Sequence, residues 1–189
     1  MTPTVRDCIL RATQAEDTYF VEAVQSLWSG YGTLDRYGLV GASVGCVVVK
    51  HVRFPDAASH PRGRNTQASD QRKRFSYAVE TAWYEQWAHH CNSSCRVPKC
   101  LAIGRAEGEV VMVMEDLVGA GYPKSSPHVN EAVIGEVLKW LANFHAMFMN
   151  RSPTGLWPSG TYWHLDTRPD ELDAMTDEPL KRAARTLDH

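Results

Sequence analysis

The sequence predicts an α+β fold: a five-stranded antiparallel sheet with one helix inserted between its third and fourth strands, followed by a helical unit. Three observations predict it. Residues 19–52 hold three β-branched and aromatic runs punctuated by glycine. Residues 75–87 carry a large apolar side chain at every fourth position, and residues 130–150 show a helical apolar period behind an asparagine suited to capping.

Taken in order, Val5, Ile9 and Ala12 behind Thr4 as an N-cap predict a short helix within residues 4–15. Residues 19–28, 33–40 and 45–52 read as consecutive strands of a meander. Ser29, Gly30, Tyr31 and Gly32 join the first two, and a turn at Gly41 joins the second to the third. Residues 54–72 are polar, contain Pro55, Pro61 and Gly63, and lack an apolar period, which predicts a loop. Phe75, Val79, Trp83 and Trp87 then form an aromatic stripe on a helix. Beyond a polar segment with Cys91, Cys95 and Cys100, residues 101–103 and 110–114 predict two strands around a turn over 104–108.

Residues 119–127 are turn-rich and mark a boundary. After it, Asn130 caps a helix whose expected buried face is Ile134, Val137, Leu138, Leu141, Phe144 and Phe148, ending near Asn150 ahead of Pro153. Residues 155–164 are aromatic and irregular. A further helix starts at Asp177, and no stop signal follows it before His189.

The 189 residues, 43% apolar, suit one globular domain or a two-lobed one. The 20 Lys and Arg against 22 Asp and Glu give a net charge of −2, which argues against a generally basic nucleic-acid binder. No apolar run approaches the ~18–20 residues of a membrane-spanning helix, and residues 1–6 lack the apolar stretch of a signal peptide. No membrane partner is expected, and the expected location is the cytoplasm. Five cysteines are an odd number and do not suggest a paired disulfide framework, so reduced thiols are expected.

Lys50 is the most informative single residue. It follows three valines in a predicted buried strand, where an ammonium needs an anionic partner or must lose its charge. Glu80, on the aromatic helix, is one available partner; alternatively Lys50 snorkels to water at the strand end and Glu80 is solvated. The glycines of the 29–32 turn either let backbone N–H groups approach a phosphate or simply make a hairpin. His89, His90, Cys91, Cys95 and Cys100 are zinc-ligand types, but the second C-x₂₋₄-C knuckle of a structural site is missing, so no metal is expected. Arg62, Arg64, Arg72, Lys73 and Arg74 read as a solvated insertion, and His145 as a core histidine.

Together the glycine-bearing turn, Lys50 after Val47, Val48 and Val49, the helix around Glu80, Arg96 with Pro98, and Met112 to Leu117 resemble the N-terminal lobe of small-molecule kinases. The likeness is to the aminoglycoside phosphotransferase and choline-kinase-like group, and within it to the ecdysteroid-kinase-like branch. Trp140, Leu141, Ala142, Asn143, Phe144, His145 and Ala146 resemble the helix that opens that group's second lobe. The resemblance implies a small lobe over residues 1–118 with its hinge, then the start of a helical lobe over 119–189. It implies that Lys50 contacts the α and β phosphates of an adenine nucleotide and that Glu80 holds Lys50. Ser29, Gly30, Tyr31 and Gly32 would cover the phosphates, and the backbone of Glu115, Asp116 and Leu117 would hydrogen-bond adenine.

The same resemblance implies ATP with Mg and a small hydroxyl-bearing acceptor. It also exposes a departure. The family's His-x-Asp loop, with Asn five positions beyond its Asp, and its metal-binding Asp have no counterpart here. His164, Leu165 and Asp166 mimic the first, but Glu171 stands five positions on and Pro169 suits a helix start. The expectation is therefore the front portion of such an enzyme, with no catalytic residue and no Mg ligand in this chain and little activity alone. The alternative is a non-catalytic interaction module on the same lobe, self-associating through exposed Trp157, Tyr162 and Trp163.

Overall fold

The computed structural model describes residues 4–27, 30–54, 67–122, 129–160, 164–173, 175–178 and 181–182. Five strands, β1 (Asp17–Ser26), β2 (Gly32–Val40), β3 (Cys46–Arg53), β4 (Cys100–Ala106) and β5 (Glu109–Glu115), form one sheet in the order β1-β2-β3-β5-β4. Every neighbouring pair is antiparallel. The fold is mixed α+β, with helices α1 (Val5–Thr13), α2 (Gln67–Ala82), α3 (Glu131–Phe148) and α4 (Pro169–Asp173).

The expected meander is present, and so is the helix between the third and fourth strands. The sheet, however, has a helix on each face rather than one alone. Thr4 caps α1 in a reciprocal capping box with Asp7, whose carboxyl these hydrogen bonds hold below its ordinary range. Cys8 and Ile9 of α1 then pack on Val47, Val49, Val111 and Val113. Tyr77 of α2 packs with Val52 and Tyr31 on the opposite face. Successive strand residues point to opposite faces, so β3 buries its odd-numbered valines under α1 and offers Lys50 and Val52 to α2.

Three local expectations need correction. The turn joining β4 to β5 is Glu107 and Gly108, and Gly104 lies within β4. A Cβ at Gly104 would stand 2.6 Å from the Cys8 sulfur, so the glycine admits α1 against the strand. Helix α2 begins at Gln67, inside the stretch read as loop. Its first turns are polar because ion pairs hold them: Arg72 meets Asp170 at 3.1 Å and Arg74 meets Asp70 at 2.7 Å. The basic cluster is thus helical where it is described; Arg62 and Arg64 lie outside the described residues.

The third correction concerns the aromatic stripe. The most buried residues of α2 are Tyr77, which packs on the sheet, and Thr81, while Phe75, Val79, Trp83 and Trp87 are half-buried or exposed. Every-fourth spacing overshoots a helical turn by about 40° per step, so the stripe meets two partners. Phe75 packs edge-on against Trp157 at 4.5 Å. Trp83 and Trp87, on a π-helical turn spanning Trp83–Trp87, reach Phe148 of α3 at 5.3 and 6.1 Å. Trp157 is accordingly half-buried rather than an open surface; Tyr162 and Trp163 lie outside the described residues.

Asn130 caps α3 as expected, its side chain accepting from the Val133 N–H at 3.0 Å. Its contact face is narrower than expected. Trp140, Leu141, Phe144 and Phe148 are half-buried, whereas Ile134, Val137, Leu138 and His145 are exposed. His145 is therefore no core histidine. Pro169 opens α4, and most of the helix expected from Asp177 lies outside the described residues. Among the described residues no helix is long and apolar enough to cross a membrane.

Ile9 is fully buried between α1 and the sheet. Ile9→Ala is expected to cost about 2–4 kcal/mol, measured as a lower urea midpoint at unchanged slope. A loss under about 1 kcal/mol would mean that α1 is not docked.

Candidate functional site

Strand β3 carries Lys50 toward α2, and α2 presents Glu80 to it. The Lys50 Nζ donates to both carboxylate oxygens of Glu80 at 2.6 Å. Their side chains are 19% and 30% exposed, so the pair is part-buried at the sheet–helix seam and the lysine does not snorkel out. The Tyr77 ring lies beneath the ammonium, 5.3 Å from ring centre to Nζ. Behind Glu80, burial and the Glu80 charge push the Tyr84 hydroxyl up to about 12. Burial pushes the Cys100 thiol up to about 11.

The pair borders a cleft of about 470 Å³ lined by Leu27, Lys50, Lys73, Tyr77, Glu80, Trp83 and Trp157, among others. One wall is polar and comes from β3 and α2. The other is apolar and includes Trp157 from the segment after α3. That segment is pinned to the far end of α2 by the indole N–H of Trp87, which donates to the Thr154 carbonyl at 3.0 Å. Gly155, at φ +77°, passes within 3.3 Å of Ala82 measured from an added Cβ.

Ser29 lies outside the described residues. Gly30 turns at φ +74° and is exposed. Tyr31 is 2% exposed, with its ring against Phe54 and Tyr77 and its hydroxyl donating to Asp70 at 2.6 Å. Gly32, at φ +142°, passes so close to β3 that a Cβ would sit 1.8 Å from the His51 carbonyl oxygen. Tyr31 and Gly32 thus anchor the turn to α2 and β3, and neither lines the cleft.

Glu115 closes β5 and clamps the segment before β4. Its side chain accepts from Arg96 at 2.5 Å and from the Lys99 N–H at 3.1 Å. Asp116 is buried; it meets Arg36 of β2 at 3.3 Å and accepts from the Val118 N–H at 3.2 Å. The Leu117 carbonyl accepts from Tyr122. These three form a tightly tied exit from β5. Lys50 pairs in register with Met112, three residues before Glu115, so the exit lies about 10 Å along the neighbouring strand from Lys50. It does not line the cleft at Lys50 and Glu80.

Lys73, Tyr77, Glu80 and Tyr84 recur at spacings of four, three and four, the signature of one helical face. Aromatic size drew attention to the opposite face, and this polar one was missed. Among the described residues no three His, Cys, Asp or Glu gather as a metal site, and all five cysteines are free thiols. No protein-family model matches the chain, and comparison with curated proteins finds no match.

Gly32→Ala is expected to lower unfolding stability by more than about 2 kcal/mol, because the added methyl meets backbone at a strained φ. Unchanged stability with weaker nucleotide binding would instead assign Gly32 to a phosphate loop.

Proposed function

We propose that the chain forms the adenine-nucleotide half-site of a kinase-like small-molecule phosphotransferase, with the sheet, α1 and α2 as its small lobe. The observation that carries this reading is the part-buried, bidentate pair between Lys50 on the third strand and Glu80 on the helix inserted after it. A cation fixed this way is held ready for phosphate oxygens without a change of rotamer, and phosphoryl transfer depends chiefly on positioning and charge neutralisation. The backbone of Glu115 to Leu117, which would hydrogen-bond adenine in this reading, lies at the end of the adjacent strand, about 10 Å along it from Lys50.

In such a transfer the acceptor hydroxyl oxygen bonds to the γ-phosphorus, the bond from that phosphorus to the β-bridging oxygen breaks, and a base takes the hydroxyl proton. Lys50 would steady the α and β phosphates. The chain's sole His-x-Asp sequence ends in Asp166, whose side chain is 95% exposed and 3.7 Å from His164. Glu80 is the only carboxylate among the cleft's described lining residues, and both its oxygens accept from Lys50. These residues do not fit a Mg site. The reading is nucleotide binding with little or no phosphoryl transfer by this chain alone.

A second reading, a non-catalytic module that pairs with another copy, is favoured by the exposure of Ile134, Val137 and Leu138 on α3. Calorimetric titration separates the two. ATP binding that weakens about tenfold or more, about 1.4 kcal/mol, in a folded Lys50→Ala variant is the expected result. Absent ATP binding together with a stable dimer in sedimentation would favour the module, and robust Mg-dependent turnover of small hydroxyl compounds would overturn the half-site limit.

A further inference from the structure

The cleft holds two ammonium groups and one carboxylate. Lys50 and Lys73 lie over the same ring, their Nζ atoms 5.3 and 5.5 Å from the centre of Tyr77. Glu80 gives both oxygens to Lys50. No carboxylate lies within ion-pair reach of Lys73 among the described residues. The remaining lining is neutral: Gln25, Leu27, Ser76, Tyr77, Val79, Trp83, Tyr84 and Trp157. The cleft therefore carries excess positive charge beside an apolar wall, where an unmatched cation is costly and an incoming anion relieves that cost.

We propose that Lys73 is a second anion-binding group of this cleft, acting with Lys50 on the phosphate chain of a nucleoside di- or triphosphate. The proposal deepens the half-site reading and rests on it for the adenine, though not for the anion. Because both ammonium groups lie over the Tyr77 ring, successive phosphates of one chain can pair with both, and a polyphosphate offers the two cations more anionic oxygens than a monophosphate does. Burial and the Lys50 charge depress the Lys73 ammonium from its ordinary range, and the smaller opposing pull of Glu80 only partly offsets them. A bound polyphosphate would reverse that depression.

The test is titration of ATP, AMP and inorganic tripolyphosphate into the wild-type chain, Lys73→Gln, Lys73→Met and Lys73→Arg, each checked for folding by thermal unfolding. The expected result is about a tenfold loss of ATP and tripolyphosphate affinity in the Gln and Met variants. AMP should change less than about twofold, and Lys73→Arg should restore most of the loss. ATP bound equally by wild type, Lys73→Gln and Lys73→Met would overturn the role of Lys73 and leave the half-site standing. Tripolyphosphate bound through Lys73 with no gain from adenine would uphold Lys73 and overturn the nucleotide reading. Binding of neither ligand would overturn both.

Discussion

A central strand covered on both faces must be apolar or must satisfy every charge it carries, and the fold depends on β3 meeting both demands. Its odd-numbered valines disappear under α1, while Lys50 on the other face is neutralised by Glu80 of α2. The pair ties the sheet to α2. Removing one partner would leave the other charge part-buried and unpaired, weakening one of the ties that hold α2 to the sheet beside the packing of Tyr77 on Val52 and Tyr31.

That dependence propagates outward. Because α2 is held by its polar face, its aromatic face is left to collect the chain beyond the sheet: Trp157 on Phe75, and α3 on Trp83 and Trp87. Trp140 reinforces the junction by donating to the Arg96 carbonyl at 2.9 Å. Arg96 in turn holds Glu115 at the exit of β5. The cleft beside Lys50 is thus walled by four separate parts of the chain, the end of β1, β3, α2 with the turn after it, and the segment after α3.

Much of this architecture was legible because it rests on local signals. The strands follow from β-branched runs and turn glycines, and α1 and α3 from Thr4 and Asn130 at their caps; a lone lysine after three valines left Glu80 as one of two outcomes for Lys50, and the structure shows the pair. Where the reading failed, one face was mistaken for another. The stripe through Phe75 and Trp83 is the stronger apolar signal, but the sheet-facing side of α2 is made of tyrosine and charge. Ile134 and Leu138 have a core-like period and remain exposed.

The sequence by itself determined the strands, the helix caps, the net charge and the presence of a lysine requiring a partner. Each is set by residues within a few positions of one another. Only the tertiary structure decided that two helices cover the sheet and that Tyr31 and Gly32 brace a turn. It also decided that Asp116 pairs with Arg36 and that Lys73 shares a cleft with Lys50. Those outcomes depend on which faces meet across long stretches of chain, and helical or strand periodicity names a face without naming its partner.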